Sequence, residues 1–402
     1  MLIACLLFLA GAAAVSAAAA GPALRRASAA RAFADARQGL YAVSAAAEDV
    51  AYRHMRGFAV GASEAVTVGG IAASATVTDV SGGKEVVAKA LGARFARAST
   101  LRLLEGEGAA FHYGAQAGAG GIVLENSSSI AGNVYANGPI DGAGGNLIKG
   151  DVVSAGPLGL VRDVHATSSV YAHAIQDAEI DGDAHYQTLT GTTISGALYP
   201  GSTDKETKDL PITDAQIESW KSDAAAGGTI ASPCPYNIDD DTTLGPKKIN
   251  CNMKISGSPT VTLMGPLWVA GDLEIENSAV VRIDASLSGK SIAVIADGKI
   301  TLQNTASFAG AGANSHILLI SGKESGDGII AKNSVTGALL LYAPESEISL
   351  EDSVHIKEVS GYKIRLKNSA EVAYETGLAS LLFTAGPSGG YTLGGWKEII
   401  AP

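Results

Sequence analysis

Charge, aromatic rings and cysteine are all scarce in this chain. Charged residues make up 17% and aromatics 5% of its 402 residues, and there are three cysteines. With a net charge of −11 and no Lys/Arg stripe interleaved with aromatics, a nucleic-acid backbone is not an expected partner. Neither Cys234 nor Cys251 lies in a CxxC and no histidine stands near them, which weighs against a zinc site there. HExxH and P-loop fingerprints are absent. The Gly118-Ala119-Gly120-Gly121 run lacks the strand-turn-helix context that phosphate cradling requires. These absences point to a protein without a cofactor and without catalytic activity.

Glycine is plentiful, at 49 residues. Gly and Asn serve tight corners, and small aliphatic residues fill a narrow core. A phrase of that kind recurs through the C-terminal half. It runs apolar strand, Asn-Ser or a close variant, apolar strand, at Asn277, Asn304, Asn333, Asp352 and Asn368. Ser256-Gly257-Ser258-Pro259 is a weaker copy, and Glu125-Asn126-Ser127 opens the middle of the chain in the same way. Strand-and-turn repeats of about 20 residues predict a solenoid, here a single-stranded parallel β-helix. Its stacked Asn corners would form a hydrogen-bonded ladder. About 12 coils at about 4.8 Å make a stack roughly 60 Å long.

The expected fold is therefore mainly β, in five segments. Residues 1–57 read as a helix: 1–20 carry no charge and are long enough to span a bilayer, and strong helix formers continue to Tyr52. Residues 58–120 alternate with period two, as in Glu64-Ala65-Val66-Thr67-Val68, and predict a small antiparallel β unit. Phe111-His112-Tyr113 reads as a further strand. Residues 121–199 form the first part of the β-helix, with Gly-Asn or Gly-Asp pairs at Asn133, Asp151 and Asp183 before its strands. Residues 200–253 interrupt it, with a helix capped by Thr213 and a polar loop between Cys234 and Cys251. The bracketing cysteines predict a disulfide and an oxidising compartment; two unrelated buried thiols are the alternative. Residues 254–402 complete the β-helix, with Trp396 in a C-terminal cap.

Two clusters invite a metal. Asp239-Asp240-Asp241 is a calcium candidate, read first as a solvated turn. His165, His173 and His185 fall close together in the sequence, read first as outward polar residues of stacked coils.

An uncharged helix that continues into an amphipathic one and then a β domain is the layout of type IV pilins. The stretch Tyr41 to Tyr52, the Ile217-Glu218-Ser219-Trp220-Lys221 phrase, the Cys234 to Cys251 loop and the Gly386-Pro387-Ser388-Gly389-Gly390-Tyr391 ending resemble PilX-like pilus-associated surface proteins. The Gly-Asp-Val phrases between residues 121 and 199 resemble bactofilins. The first resemblance implies a cell-surface adhesive protein. It would be anchored in the membrane or packed with pilin subunits through its helix, and would meet a surface glycan or host-cell receptor. Its contacts would then fall on the irregular segments 200–250 and 321–328. The second resemblance implies a polymer-forming scaffold. A polysaccharide-active β-helix enzyme is a third reading.

Overall fold

The computed structural model describes residues 2–55, 60–61, 63–80, 83–93, 95–105, 110–375, 377–384 and 391–399. The protein is mainly β, with an N-terminal helix, a small antiparallel sheet and two large parallel sheets. It divides into two compact units, Met1–Glu105 with Tyr391–Pro402, and Gly106–Gly390.

In the first unit, α1 spans Leu2–Met55. Among the described residues no helix is long and apolar enough to cross a membrane. The uncharged stretch 1–20 lies almost wholly outside the residues whose side chains are described. The C-terminal part of α1 lays Ala42, Val43, Ala46, Ala47 and Val50 on an antiparallel sheet, against Ala75, Val86, Ala88 and Leu101. Small residues keep helix and sheet close. At Gly39 an added Cβ would fall 2.3 Å from the Phe95 ring, and at Gly92 the same ring would be met at 2.3 Å from its other side. The strands are Ser63–Val68, Ile71–Val80, Gly83–Gly92 and Phe95–Glu105, in that order, followed by Tyr391–Ile399. The last strand corrects an expectation. Trp396 pairs with Leu101 in this antiparallel sheet, so it belongs to the first unit and is not part of the coils. The free edge of Phe95–Glu105 offers the backbone partners that an extended tail needs.

In the second unit the chain winds so that every third strand pairs in parallel with its predecessor, an arrangement consistent with a β-helix. One apolar column fills the inside, including Val134, Val152, Val170, Ile249, Val269, Leu339 and Val359. The first run of coils extends from Ala115–Leu124 to Leu198–Pro200 and tightens along its length. Val134 pairs with Val152 and Val152 with Val170, and then the shorter steps follow, Val170 to Ala184 and Ala184 to Leu198. The second run, from Thr229–Ile230 to Glu371–Ala373, widens and then narrows. Its longest step takes Ile300 to Ile329, and its later ones take Leu340 to Glu358 and His355 to Glu371.

The two runs do not stack in chain order. The last coil of the second run lies on the first coil of the first: Ile364 pairs with Ile122, and Val372 with Ile130. The 12-stranded sheet therefore begins at Thr193–Ile194 and ends at Thr242–Leu244, with residues 129–131 and 371–373 adjacent in its middle. The chain enters this unit at mid-stack, winds to one end, returns to the other end and winds back. Strand Ala115–Leu124 serves two faces, so it must bend at the corner between them. Gly121 makes the bend, with φ +71° and an added Cβ only 2.1 Å from the Pro139 carbonyl oxygen.

Three boundaries move accordingly. Coils begin at Ala115, not at residue 121. The segment that leaves the stack is 201–228 and not 200–253, because Thr229–Ile230, Tyr236–Ile238 and Lys247–Ile249 already pair as coil strands. Phe111-His112-Tyr113 is not a strand; Phe111 is buried against Leu378 and Leu381.

The connection that returns down the stack has two parts. Residues 201–213 run as a strap across successive coils. The Gly156 N–H donates to the Lys205 carbonyl (2.8 Å), Asn137 Nδ2 to that of Lys208 (2.7 Å), Gln116 Nε2 to that of Asp209 (2.7 Å) and Tyr342 Oη to that of Ile212 (2.5 Å). Then α2, Asp214–Ala226, forms behind a capping box between Thr213 and Gln216. It buries Ile217 and Trp220 on the outer side of Ile295, Leu318, Ile320 and Leu340. Strands Ile292–Ala296 and Ile317–Ser321 are buried at every position because both of their faces are covered, and Ser321 is their one polar residue.

Candidate functional site

Along the first run one outward register carries Gln116, Tyr135, Val153, Tyr171, His185 and Tyr199. Strand spacing of about 4.8 Å brings successive rings to stacking distance. Tyr171 and His185 stack at 4.4 Å and 12°, and His185 and Tyr199 at 4.3 Å and 3°. The strap lies beside this column. Lys205 Nζ sits 4.4 Å from the Tyr171 ring centre, and Lys208 Nζ sits 4.7 Å from that of Tyr135 and donates to Tyr113 Oη (2.6 Å). Burial raises the Tyr135 phenol above its usual range, against the pull of the Lys208 ammonium. Its hydroxyl donates to the Glu206 carbonyl. Rings, ammonium groups, Asn133 and Asp151 surround a cavity of about 520 Å³ at this face. An aromatic wall with a few fixed charges is suited to a polar ligand of ring-like shape, or to a protein surface.

The expected contact segments are more ordered than their irregular sequence suggests. The strap is held to the coils by the hydrogen bonds given above, so only its outer side is free. In the segment 321–328, Ser321 ends one strand and Asp327 begins the next. Glu324 and Gly326 help line a cavity of about 430 Å³ with Glu347, Tyr362 and Lys363.

The three clustered histidines are not brought together. His173 Nδ1 faces Asp204 Oδ2 at 3.0 Å, and His185 lies inside the ring stack. His165 is on another face, beside Glu179 and Asp181. The three aspartates part as well. Asp239 Oδ1 accepts from Ser256 Oγ (3.0 Å) and Asp241 Oδ1 from the Thr260 N–H (2.7 Å), so both tie one coil to the next.

Cys234 and Cys251 are joined by a disulfide across 17 residues, within the coils at one end of the stack. The Asn-Ser corners adopt left-handed backbone, with φ 58° at Asn333, 63° at Ser334 and 55° at Asn368. Asn tolerates that conformation better than most residues, which is the physical content of the recurring phrase. Asn333 Nδ2 donates to Asn304 Oδ1 (2.9 Å), Asn304 Nδ2 to Asn277 Oδ1 (3.5 Å) and Asn368 Nδ2 to Asp352 Oδ1 (2.8 Å). Asn126 Nδ2 donates to Asn368 Oδ1 (3.0 Å), so the ladder continues across the join between the two runs. Each amide donates toward the preceding coil of this order. A carboxylate has no donor, and at Asp352 the ladder has no side-chain step to Asn333.

A buried carboxylate was not foreseen. Glu358 lies among apolar groups with one oxygen on the Ser360 hydroxyl and the other, Oε2, without a hydrogen-bond partner among the described residues. Burial raises it well above the usual carboxylate range, against the effect of the Ser360 hydroxyl. Burial, with the nearby Glu358 charge, also pushes the Tyr374 phenol up to about 12. The single carboxylate in an otherwise apolar strand start, Glu358-Val359, was the only signal in the sequence.

No protein-family model matches this chain, and no curated protein sequence matches it. Among solved structures, the competence-associated pilin ComZ from Thermus thermophilus is similar over 90% of this chain and 97% of that one, with 9% identity and a TM-score of 0.30. An ice binding protein from an Antarctic bacterium Flavobacteriaceae is similar over 66% of this chain and 81% of that one, with 10% identity and a TM-score of 0.14. Neither likeness is close enough to carry an argument about function.

Proposed function

We propose that this chain is a non-enzymatic cell-surface protein of a type IV pilus-like system, a minor pilin or pilus-tip component. In this reading the second unit is a single-stranded parallel β-helix that presents its aromatic face to a surface glycan or host-cell receptor. The observation that carries the reading is the Cys234–Cys251 disulfide, which belongs to an oxidising compartment. Support comes from the first unit, where the C-terminal part of α1 is packed on an antiparallel sheet while Leu9, Leu24 and Phe33, farther toward its start, are 66–69% exposed. Pilin subunits or a membrane would cover those side chains. Nucleic acid is not among the proposed partners.

The scaffold reading has one observation in its favour. At the end of the first run Leu198 and Tyr199 are exposed, and Thr193–Ile194 is the terminal strand of its sheet. An open edge of that kind is a template for further pairing. Mechanical shearing of cells separates the two readings. Release of the chain with the sheared filament fraction is the expected result; retention of the whole pool in the soluble fraction after lysis would favour the scaffold.

A further inference from the structure

The strands His165–Ala166 and Glu179–Ile180 pair in parallel, which sets His165 directly over Glu179. Ile180 points into the core at 1% exposure, so Glu179 and Asp181 on either side of it project outward together. The imidazole stands between them. Nε2 is 3.4 Å from Asp181 Oδ2, and Nδ1 is 4.0 Å from Glu179 Oε2. One nitrogen or oxygen from each of the three lies within 4.8 Å of the other two. Beside them Asn146, Asp163, Asp177 and Glu179 line a cavity of about 520 Å³ that opens onto His165. Arg162, the basic residue nearest in sequence, turns its guanidinium to Asp141 at 2.9 Å.

We propose that His165, Glu179 and Asp181 bind a divalent transition-metal ion of zinc's class. Bonds of about 2.05 Å place two ligands of a tetrahedral ion about 3.3 Å apart. His165 Nε2 and Asp181 Oδ2 already stand at 3.4 Å. Closing Glu179 onto the same ion needs only a rotation of its exposed side chain, and water from the adjoining cavity supplies a fourth ligand. The imidazole nitrogen favours zinc, copper or nickel over calcium and magnesium, which prefer oxygen alone. The strand pairing explains how so short a motif makes a site. One coil supplies the histidine, and the next supplies two carboxylates at i and i+2.

The test uses the full chain without an affinity tag, stripped with a chelator, and Zn²⁺ in competition with a chromophoric chelator. One equivalent is expected to bind, with Ca²⁺ about 100-fold weaker or more. His165→Ala is expected to lower Zn²⁺ affinity about 30-fold or more and Asp181→Asn about 10-fold, with far-UV circular dichroism unchanged. His173→Ala and His185→Ala are expected to leave binding as it was. As a second readout, the ring proton resonances of His165 should shift on adding Zn²⁺ while those of His185 stay in place. Absence of saturable binding at about 0.1 mM Zn²⁺ would overturn the site, as would binding that survives His165→Ala.

Discussion

The two runs of coils solve the same problem with different chemistry. In the first run the coils are short, as from Val170 to Ala184, and the outward register is a stack of rings beside a strap. In the second they are longer, as from Leu267 to Val294, strands such as Ile292–Ala296 are buried on both faces, and α2 with Trp220 covers their outer side. Corner chemistry differs too, with glycine and aspartate prominent at the corners of the first run and an Asn ladder in the second. A short coil leaves little room for side chains outside its core, so its outer face stays available. A long coil carries apolar surface that must be covered by another part of the same chain. The lesson is a division of labour inside one unit: the second run carries the larger share of buried apolar packing, and the first carries the surface suited to contact.

The sharpest way to break this comparison is to uncover the second run. Trp220→Ala removes a fully buried ring from between α2 and the strands. It is expected to destabilise the second unit by about 3–5 kcal/mol, read by chemical denaturation. Tyr199→Ala, at the end of the first run's ring stack, should cost about 1 kcal/mol or less in the same assay.

Replacing both disulfide cysteines by serine is expected to cost about 3 kcal/mol, because the 17-residue loop regains its freedom in the unfolded chain. Reducing agent should lower the melting temperature of the native protein and leave that of the double variant unchanged.

Glu358 ties stability to pH. Its folded pKa is raised by burial, so the folded state holds its proton more tightly than the unfolded chain does. The stability this contributes is fully present below the ordinary glutamate value of about 4.5 and is lost as pH rises through the folded value. Glu358→Gln should remove that decline, so the variant gains stability over the native protein as pH rises. Parallel pH profiles for the two proteins would contradict the assignment.

The corner ladder gives smaller effects than Trp220 or the disulfide, and they have opposite signs. Asn333→Ala places a residue with no compensating hydrogen bond in left-handed backbone and removes the bond to Asn304. A loss of about 2 kcal/mol is expected. Asp352→Asn supplies the donor that the step toward Asn333 lacks, and a gain of about 1 kcal/mol is expected. Equilibrium denaturation of the two variants side by side checks both signs.

Much of this was legible in the sequence where the physics is local. Asn-Ser phrases mark left-handed corners because few residues tolerate that backbone, and Thr213 with Gln216 marks the start of α2 because a capping box is a local matter of neighbouring residues. Strands such as Ile317-Leu318-Leu319-Ile320 are continuously apolar, a pattern that goes with burial on both faces but does not say what covers them. What the sequence did not reveal is order along the stack. Nothing local to residues 122 and 364 says that they pair, since one parallel coil edge offers the same hydrogen bonds as another. Trp396 was misplaced for the same reason: an extended tail carries no mark of which sheet edge it joins. The histidines were grouped by sequence distance, whereas coil register decides their neighbours and gives His165 two carboxylates in place of two other rings.

A surface role requires the disulfide-bearing unit to lie outside the cell. Protease shaving of intact cells, with peptides from residues 200–260 read by mass spectrometry without reduction, tests this most directly. The predicted result is release of peptides in which Cys234 is joined to Cys251. Complete protection in intact cells, with both cysteines alkylated after lysis, would contradict it.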